Sequence, residues 1–249
     1  MHPYIPATEI LNRFTPLTKY LSEKLNIPVS IHIQKSYQDH IDYVGQNKAD
    51  IAFLGPMSYI CLKDKYGTKP LIAKLEIDNT SCFYGVIITR SDSNINSLND
   101  LKGKSFAFGD RNSTMSYIVP KNMLLKAGIT IDSFNKYDFL NSHHNVALAV
   151  LGGYYDAGGV KEEVFNEFKE KGIKILAKSP PISEHLFVAR SDFPKTLIEN
   201  IRQHFIGIKN SQNGAFILKS IKLCATDLVP VSDRDYDPLR ELLKTDIKK

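Results

Sequence analysis

Ser105-Phe106-Ala107-Phe108-Gly109-Asp110-Arg111-Asn112-Ser113-Thr114-Met115-Ser116 is the stretch on which the fold reading turns. An apolar, strand-like run stops at Gly109-Asp110, a short polar loop comes next, and small hydroxyl residues stand where a helix begins. Strand, loop and helix start together form one step of an α/β architecture. They also gather unpaired backbone N–H groups and two or three hydroxyls at one point, which is what an anion needs. The same residues would serve equally as a plain N-cap, supplied by Asn112 or Ser113.

The rhythm continues on both sides. Upstream, Ile10, Leu11, Phe14, Leu17, Leu21 and Leu25 share one helical face within 8–25, with a kink or restart expected at Pro16. Residues 28–33 (PVSIHI) alternate as a strand does, 36–48 read as a helix, and Ala49 to Leu54 read as a short buried strand stopped by Gly55-Pro56. A helix over 57–65 and a strand over 70–76 come after it, so a mostly parallel sheet with outer helices is expected. Residues 83–90 and 186–190 read as two strands able to carry the chain between lobes. Downstream of the opening stretch, helices are expected at 120–127, 144–151, 161–171, 195–208, 213–222 and 236–244, with strands at 155–160 and 173–177.

A chain of 249 residues is long for one small core, and two lobes are the natural expectation. The net charge of +5 comes from lysines and arginines scattered along the chain, not from the block that marks a nucleic-acid face, so no nucleic-acid partner is expected. Three cysteines, Cys61, Cys82 and Cys224, lack metal-type spacing, and an odd number excludes a complete disulfide framework. No run approaches the roughly 18 apolar residues of a membrane span, and Met1-His2-Pro3-Tyr4 opens on a turn-like segment without a signal peptide.

Three segments carry candidate chemistry. Ser113-Thr114-Met115-Ser116 offers hydroxyls and helix-start N–H groups to an oxyanion without requiring a lysine. Asn141-Ser142-His143-His144-Asn145 places histidine at another helix start, where it can donate to an anion or simply be a solvated part of a capping segment. Gly55-Pro56-Met57-Ser58-Tyr59 lies at the C-terminal end of an expected parallel strand, where α/β folds bind ligands. No G-x-S-x-G, H-E-x-x-H or P-loop pattern is present, and Asp233, Asp235 and Asp237 lack the glycine and glutamate of a calcium loop. A non-enzymatic oxyanion binder with no cofactor and no metal is the expectation.

Four segments taken together resemble the phosphonate/phosphite/phosphate-binding family of ABC-transporter substrate-binding proteins. They are Pro16-Leu17 with Tyr20-Leu21; Ala49 through Pro56 with Tyr59; Asp100-Leu101-Lys102-Gly103-Lys104 with Phe106 through Asp110 and Ser113-Thr114; and Ser142-His143 through Ala147-Val150 to Asp156-Ala157-Gly158. The resemblance implies a class II periplasmic binding fold, α/β, with two lobes joined by two crossover strands around a ligand cleft. Lobe 1 would comprise 1–83 and 188–249, and lobe 2 would comprise 84–187. It implies that Ser113, Thr114 and His143 hold phosphorus oxygens, helped by Met115, Ser116 and the aromatic Tyr84. Gly55, Pro56 and Tyr59 would contribute from the other lobe, and Glu162 or Glu163 falls near the first place where an acidic residue meets a ligand amine.

Two departures stand out. The family's S-T-S-G is Ser113-Thr114-Met115-Ser116 here, and its P-x-D-P is Ser183-Glu184-His185-Leu186, a departure at the place of the second amine-binding carboxylate. The first strand that normally precedes His2-Pro3-Tyr4 is nearly absent, as in a chain trimmed after a signal or anchor. The implied role is an extracytoplasmic or periplasmic binding protein that delivers a small phosphorus oxyanion to an ABC permease. A ligand-sensing receptor domain of a sensor kinase or cyclase is the alternative.

Overall fold

A computed structural model describes residues 1, 5–111 and 113–244. Asn112, the alternative cap, and the opening His2-Pro3-Tyr4 lie outside the described residues. In chain order the elements are α1 (Ala7–Leu25), α2 (Tyr37–Gly45), β1 (Ile51–Leu54), α3 (Pro56–Tyr66), β2 (Leu71–Ile77), β3 (Cys82–Phe83), β4 (Gly85–Arg90), β5 (Ser105–Phe108) and α4 (Val119–Lys126). Then come β6 (Lys136–Phe139), α5 (His143–Leu151), β7 (Ala157–Lys161), α6 (Glu162–Phe168), β8 (Ile173–Lys178), β9 (Ile182–Ser183) and β10 (Leu186–Ala189). The chain closes with α7 (Lys195–Ile206), α8 (Gly214–Ile221), β11 (Ala225–Val229) and α9 (Asp237–Lys244).

Two compact units result: Met1–Cys82 with Ser183–Asp237, and Phe83–Ile182 with the chain from Pro238 onward. The first boundary falls one residue before the expected one, and the bounds differ more widely at two other places. The return to unit 1 falls at Ser183 because β10 pairs along its length with β1 and β2 of that unit, so it is a sheet strand and not a crossover. The final helix leaves unit 1 because the buried Asn122 Nδ2 in α4 donates to the Leu242 carbonyl at 2.6 Å.

Unit 1 is built on a sheet of order β1-β10-β2-β11. The expected parallel sheet is not what forms: β1–β10, β10–β2 and β2–β11 are all antiparallel. Strands that return from more than a hundred residues away slot between and beside the early ones, which a local βαβ rhythm cannot reveal. Helix α1 runs unbroken through Pro16. The Thr15 hydroxyl donates to the Leu11 carbonyl at 2.6 Å, and Ile10, Phe14, Leu17 and Leu21 hold the buried face against Phe187, Ile201 and Phe205. That packing outweighs the hydrogen bond that proline removes. Residues 28–33 form no strand, although their alternation survives: Val29, Ile31 and Ile33 are half-buried and alternate with the exposed Pro28, Ser30 and His32.

Unit 2 is a mixed sheet of order β6-β5-β7-β4-β8. Strand β5 runs parallel to β6 and β7, whereas β4 is antiparallel to β7 and β8. Both faces of β4 are covered: Val86 and Ile88 pack with Val146 and Val160, and Ile87 packs on the opposite side with Phe106 and Phe108. Asp156 fixes β5 to β7 by accepting from the Ser105 backbone N–H at 2.8 Å and from its hydroxyl at 2.7 Å. Among the described residues no helix is long and apolar enough to cross a membrane.

Candidate functional site

Strand β5 ends in a turn whose geometry is set by crowding. Phe106, Ala107 and Phe108 are wholly buried, and the chain then turns at Gly109, whose N–H donates to the Ser116 carbonyl at 3.1 Å. A side chain at Gly109 has no room, because a Cβ there would stand 2.0 Å from Ser116 Oγ and 2.7 Å from Ser116 Cβ. Past the loop, Ser113 is the N-cap of a π-helical turn over Thr114–Ile118, which leads directly into α4. Its closing bonds run from Ile118 N–H to the Ser113 carbonyl and from Val119 N–H to the Thr114 carbonyl. The N–H groups of 114–117 therefore precede the first closing bond, and that of Ser116 is met by Ser113 Oγ at 3.2 Å. A π turn at this point is wider than an α turn and is a recurrent feature of ligand sites. Ser113, Thr114 and Ser116 are all buried, and Ser116 Oγ has no hydrogen-bond partner among the described residues.

His143 opens α5 behind the Ser142 cap. Its Nδ1 accepts the backbone N–H of Lys161 at 3.0 Å. An acceptor nitrogen carries no proton, so the neutral ring is protonated at Nε2. That Nε2 lies 3.4 Å from Ser113 Oγ, which places a donor beside the hydroxyl turn. His144 goes elsewhere and pairs with Glu167 at 2.9 Å.

Met115 turns its side chain toward β4. Its side chain is buried and covers Gly85 of β4, where a Cβ would meet the sulfur at 3.1 Å. The thioether is a packing group over Gly85. Tyr84 lies in the same unit, with the Lys178 ammonium 3.9 Å above its ring and its carbonyl accepting from Glu162 N–H at 3.0 Å. Glu163 is paired with Lys161 at 3.1 Å, and Glu162 with Lys178 at 2.6 Å. Arg111 lies 3.8 Å over the Phe139 ring and keeps a positive charge on the loop.

The unit 1 candidates form their own cluster. Gly55 caps α3 and Pro56 occupies its first turn. Tyr59 is fully buried against Tyr236, with ring centroids 4.8 Å apart, and its hydroxyl donates to Asp233 at 2.7 Å. The imidazole of His185 lies near Gly55 and stacks on Phe53 at 5.3 Å. Beside it Glu184 is 1% exposed. Burial alone would raise its carboxyl, but the hydrogen bond from His185 and the charge of Lys222 bring it down to about 2. Sequence reasoning places His185 only in the departure from the family's P-x-D-P, not among the site candidates. Its signal was an ionisable pair placed immediately before the buried run 186–189.

Comparison with known proteins bears on this arrangement. Residues 1–236 match the family described as ABC transporter, phosphonate, periplasmic substrate-binding protein. The phosphonates-binding periplasmic protein of Escherichia coli is 27% identical over 92% of this chain and 70% of its own length. The phosphate-import protein PhnD of Mycolicibacterium smegmatis is 26% identical over 96% of this chain and 83% of its own. Among solved structures, PhnD1 of Prochlorococcus marinus in complex with methylphosphonate superposes with a TM-score of 0.84 at 22% identity, covering 99% of this chain and 96% of that one.

Proposed function

This chain belongs to the family of periplasmic substrate-binding proteins of phosphonate ABC transporters, and we propose that its own ligand is phosphate, phosphite or a small alkylphosphonate without an amine. The family is one of transport proteins, not of enzymes. In this reading Ser113, Thr114 and Ser116 donate hydroxyls, the helix-start N–H groups of Thr114 and Met115 donate from the backbone, and His143 Nε2–H supplies a further donor. The observation that carries it is the Lys161 N–H on His143 Nδ1, which fixes the ring as a donor 3.4 Å from Ser113 Oγ. Neutral, preset donors suit a phosphorus oxyanion, because charge-assisted hydrogen bonds are strong and the helix start favours negative charge. Tyr84 is the aromatic neighbour in this proposal. Tyr59 acts indirectly, by holding Asp233.

The absence of an amine rests on the carboxylates. Glu162, Glu163 and Glu184 each already face a lysine or histidine. An aminoalkyl ligand would have to displace one of those cations. Relatives described as binding or importing phosphonates and phosphate support the ligand class. The partner we propose is the membrane permease of the transporter.

Isothermal calorimetry against phosphate, phosphite, methylphosphonate, 2-aminoethylphosphonate and sulfate tests the reading. Heat with one of the first three, and weaker binding of aminoethylphosphonate than of methylphosphonate, is expected. No heat with any phosphorus anion would overturn the proposal. A preference for the amine would overturn its account of the carboxylates.

A further inference from the structure

Unit 2 holds an ammonium cradle that the oxyanion donors leave unused. Lys178 ends β8 and carries its ammonium 3.9 Å from the centroid of the Tyr84 ring and 2.6 Å from Glu162 Oε1. An aromatic face and a carboxylate that meet one cation are what a protein uses to recognise an amine. The side chains of Lys178 and Glu162 keep 43% and 28% of their surface exposed, so a dissolved amine can reach the place where the ammonium sits.

The walls of the cradle are tied to each other and to the hydroxyl turn. Glu162 N–H donates to the Tyr84 carbonyl at 3.0 Å, which fixes the start of α6 against the residue before β4. One step before Glu162 is Lys161, whose N–H holds His143 Nδ1 at 3.0 Å. One step after Tyr84 is Gly85, where a Cβ would meet the Met115 sulfur at 3.1 Å and the Met115 carbonyl at 3.5 Å. Each wall is therefore a chain neighbour of a residue that touches the donor group. The lysine is anchored as firmly at its root. Lys178 lies opposite Val86 in the β4–β8 ladder, and the next residue, Ser179, exchanges bonds with Gly85, accepting its N–H on Oγ at 3.0 Å and donating to its carbonyl at 2.9 Å. All of these residues lie in unit 2.

We propose that Lys178 is the residue that sets the choice between alkyl and aminoalkyl ligands: its own ammonium fills the place between Tyr84 and Glu162 that the amine of a short aminoalkylphosphonate would take. This role rests on the oxyanion reading of Ser113, Thr114 and His143, and it names the side chain that makes the ligand one without an amine. Because it is tethered, the lysine competes at an effective concentration on the order of millimolar, so a dilute amine does not displace it. A ligand amine brought beside it would also face a second ammonium, which like charges disfavour. With the lysine shortened, the Tyr84 ring and the Glu162 carboxylate face a vacated place that fits an amine. Arginine at the same position keeps both the cation and its contact with the ring.

Calorimetric titration of the parent, Lys178→Ala, Lys178→Arg and the double variant Lys178→Ala with Glu162→Gln tests it. The probes are 2-aminoethylphosphonate and 3-aminopropylphosphonate, each measured against the tightest binder among phosphate, phosphite and methylphosphonate. The ratio of the two affinities is the readout, because a general loss of stability or of positive charge does not raise it. Lys178→Ala is expected to raise the ratio about tenfold or more for at least one amine, while the reference anion changes by no more than about threefold, since a half-exposed charge is screened. Lys178→Arg should keep the parent's ratio, and the double variant should return to it. An unchanged ratio in Lys178→Ala, beside a parent that binds the reference anion, overturns the proposal and leaves the oxyanion reading in place. A gain that persists in the double variant overturns it too, since the amine is then not on Glu162. No heat from any of the reference anions with the parent overturns the oxyanion reading, and the role of Lys178 with it.

Discussion

Replacing Gly109 with alanine probes the geometry that holds the hydroxyl turn. The new Cβ would sit 2.0 Å from Ser116 Oγ and 2.7 Å from Ser116 Cβ. The hydroxyl can rotate away, but the Cβ cannot, because the Gly109 N–H to Ser116 carbonyl bond at 3.1 Å ties the two backbones together. Overpacking of this kind costs about 1–3 kcal/mol, and here it pushes on the turn that carries Ser113 and Thr114. Ser116→Gly removes both clashing atoms, and the next contact of the alanine would be the Ser142 carbonyl carbon at 3.9 Å, an ordinary distance. That substitution alone costs about 0.5–1 kcal/mol as a glycine in a helical turn. The double variant should therefore be close to Ser116→Gly in stability, with a coupling of about 1–3 kcal/mol opposing additivity. Urea unfolding of the four proteins measures the cycle. Additive costs, or a Gly109→Ala protein as stable as the parent, would refute the close approach on which the site description rests.

Two single residues give further tests. Met115→Ser, which restores the family's usual hydroxyl, should lower stability by about 2–4 kcal/mol, because it empties the space over Gly85. Phosphate or phosphite affinity measured by calorimetry should change little, and a large gain would show that the side chain reaches the ligand. Glu184 should make unit 1 acid-sensitive in a defined window. Its carboxyl falls from an ordinary 4.5 to about 2 in the fold, so its contribution is complete above about 4.5 and is lost as pH falls through about 2, in all roughly 3 kcal/mol. Urea midpoints measured from pH 6 to pH 2 should fall in that window for the parent, and Glu184→Gln should flatten the slope.

Local pattern carried much of this molecule. The apolar run 105–108, its glycine stop and the hydroxyls of 113–116 mark a strand, a loop and a helix start, and those are what form. Ser142 does cap a helix begun by His143. Long-range partners were not legible. Nothing in Leu186–Ala189 says that it lies between β1 and β2, and nothing near Tyr59 announces a hydroxyl bond to Asp233, 174 residues away. The π turn was not legible because it depends on which carbonyl Ile118 reaches, and that is Ser113, a choice that composition does not encode. Residues 28–33 show the converse. Their alternation predicts a strand, but a ladder needs a neighbour, and among the described residues 28–33 join no sheet.

Ser113, Thr114 and His143 are the proposed oxyanion donors on which the function reading rests, and calorimetric titration of Thr114→Val and His143→Ala with the tightest-binding anion of the panel tests this most directly. Each loses a hydrogen bond to a charged group, about 1.5–3 kcal/mol, so affinity should fall roughly 10- to 150-fold in each variant while the unfolding midpoint stays near the parent's. Parental affinity in both variants would contradict the assignment and move the anion away from the turn after β5.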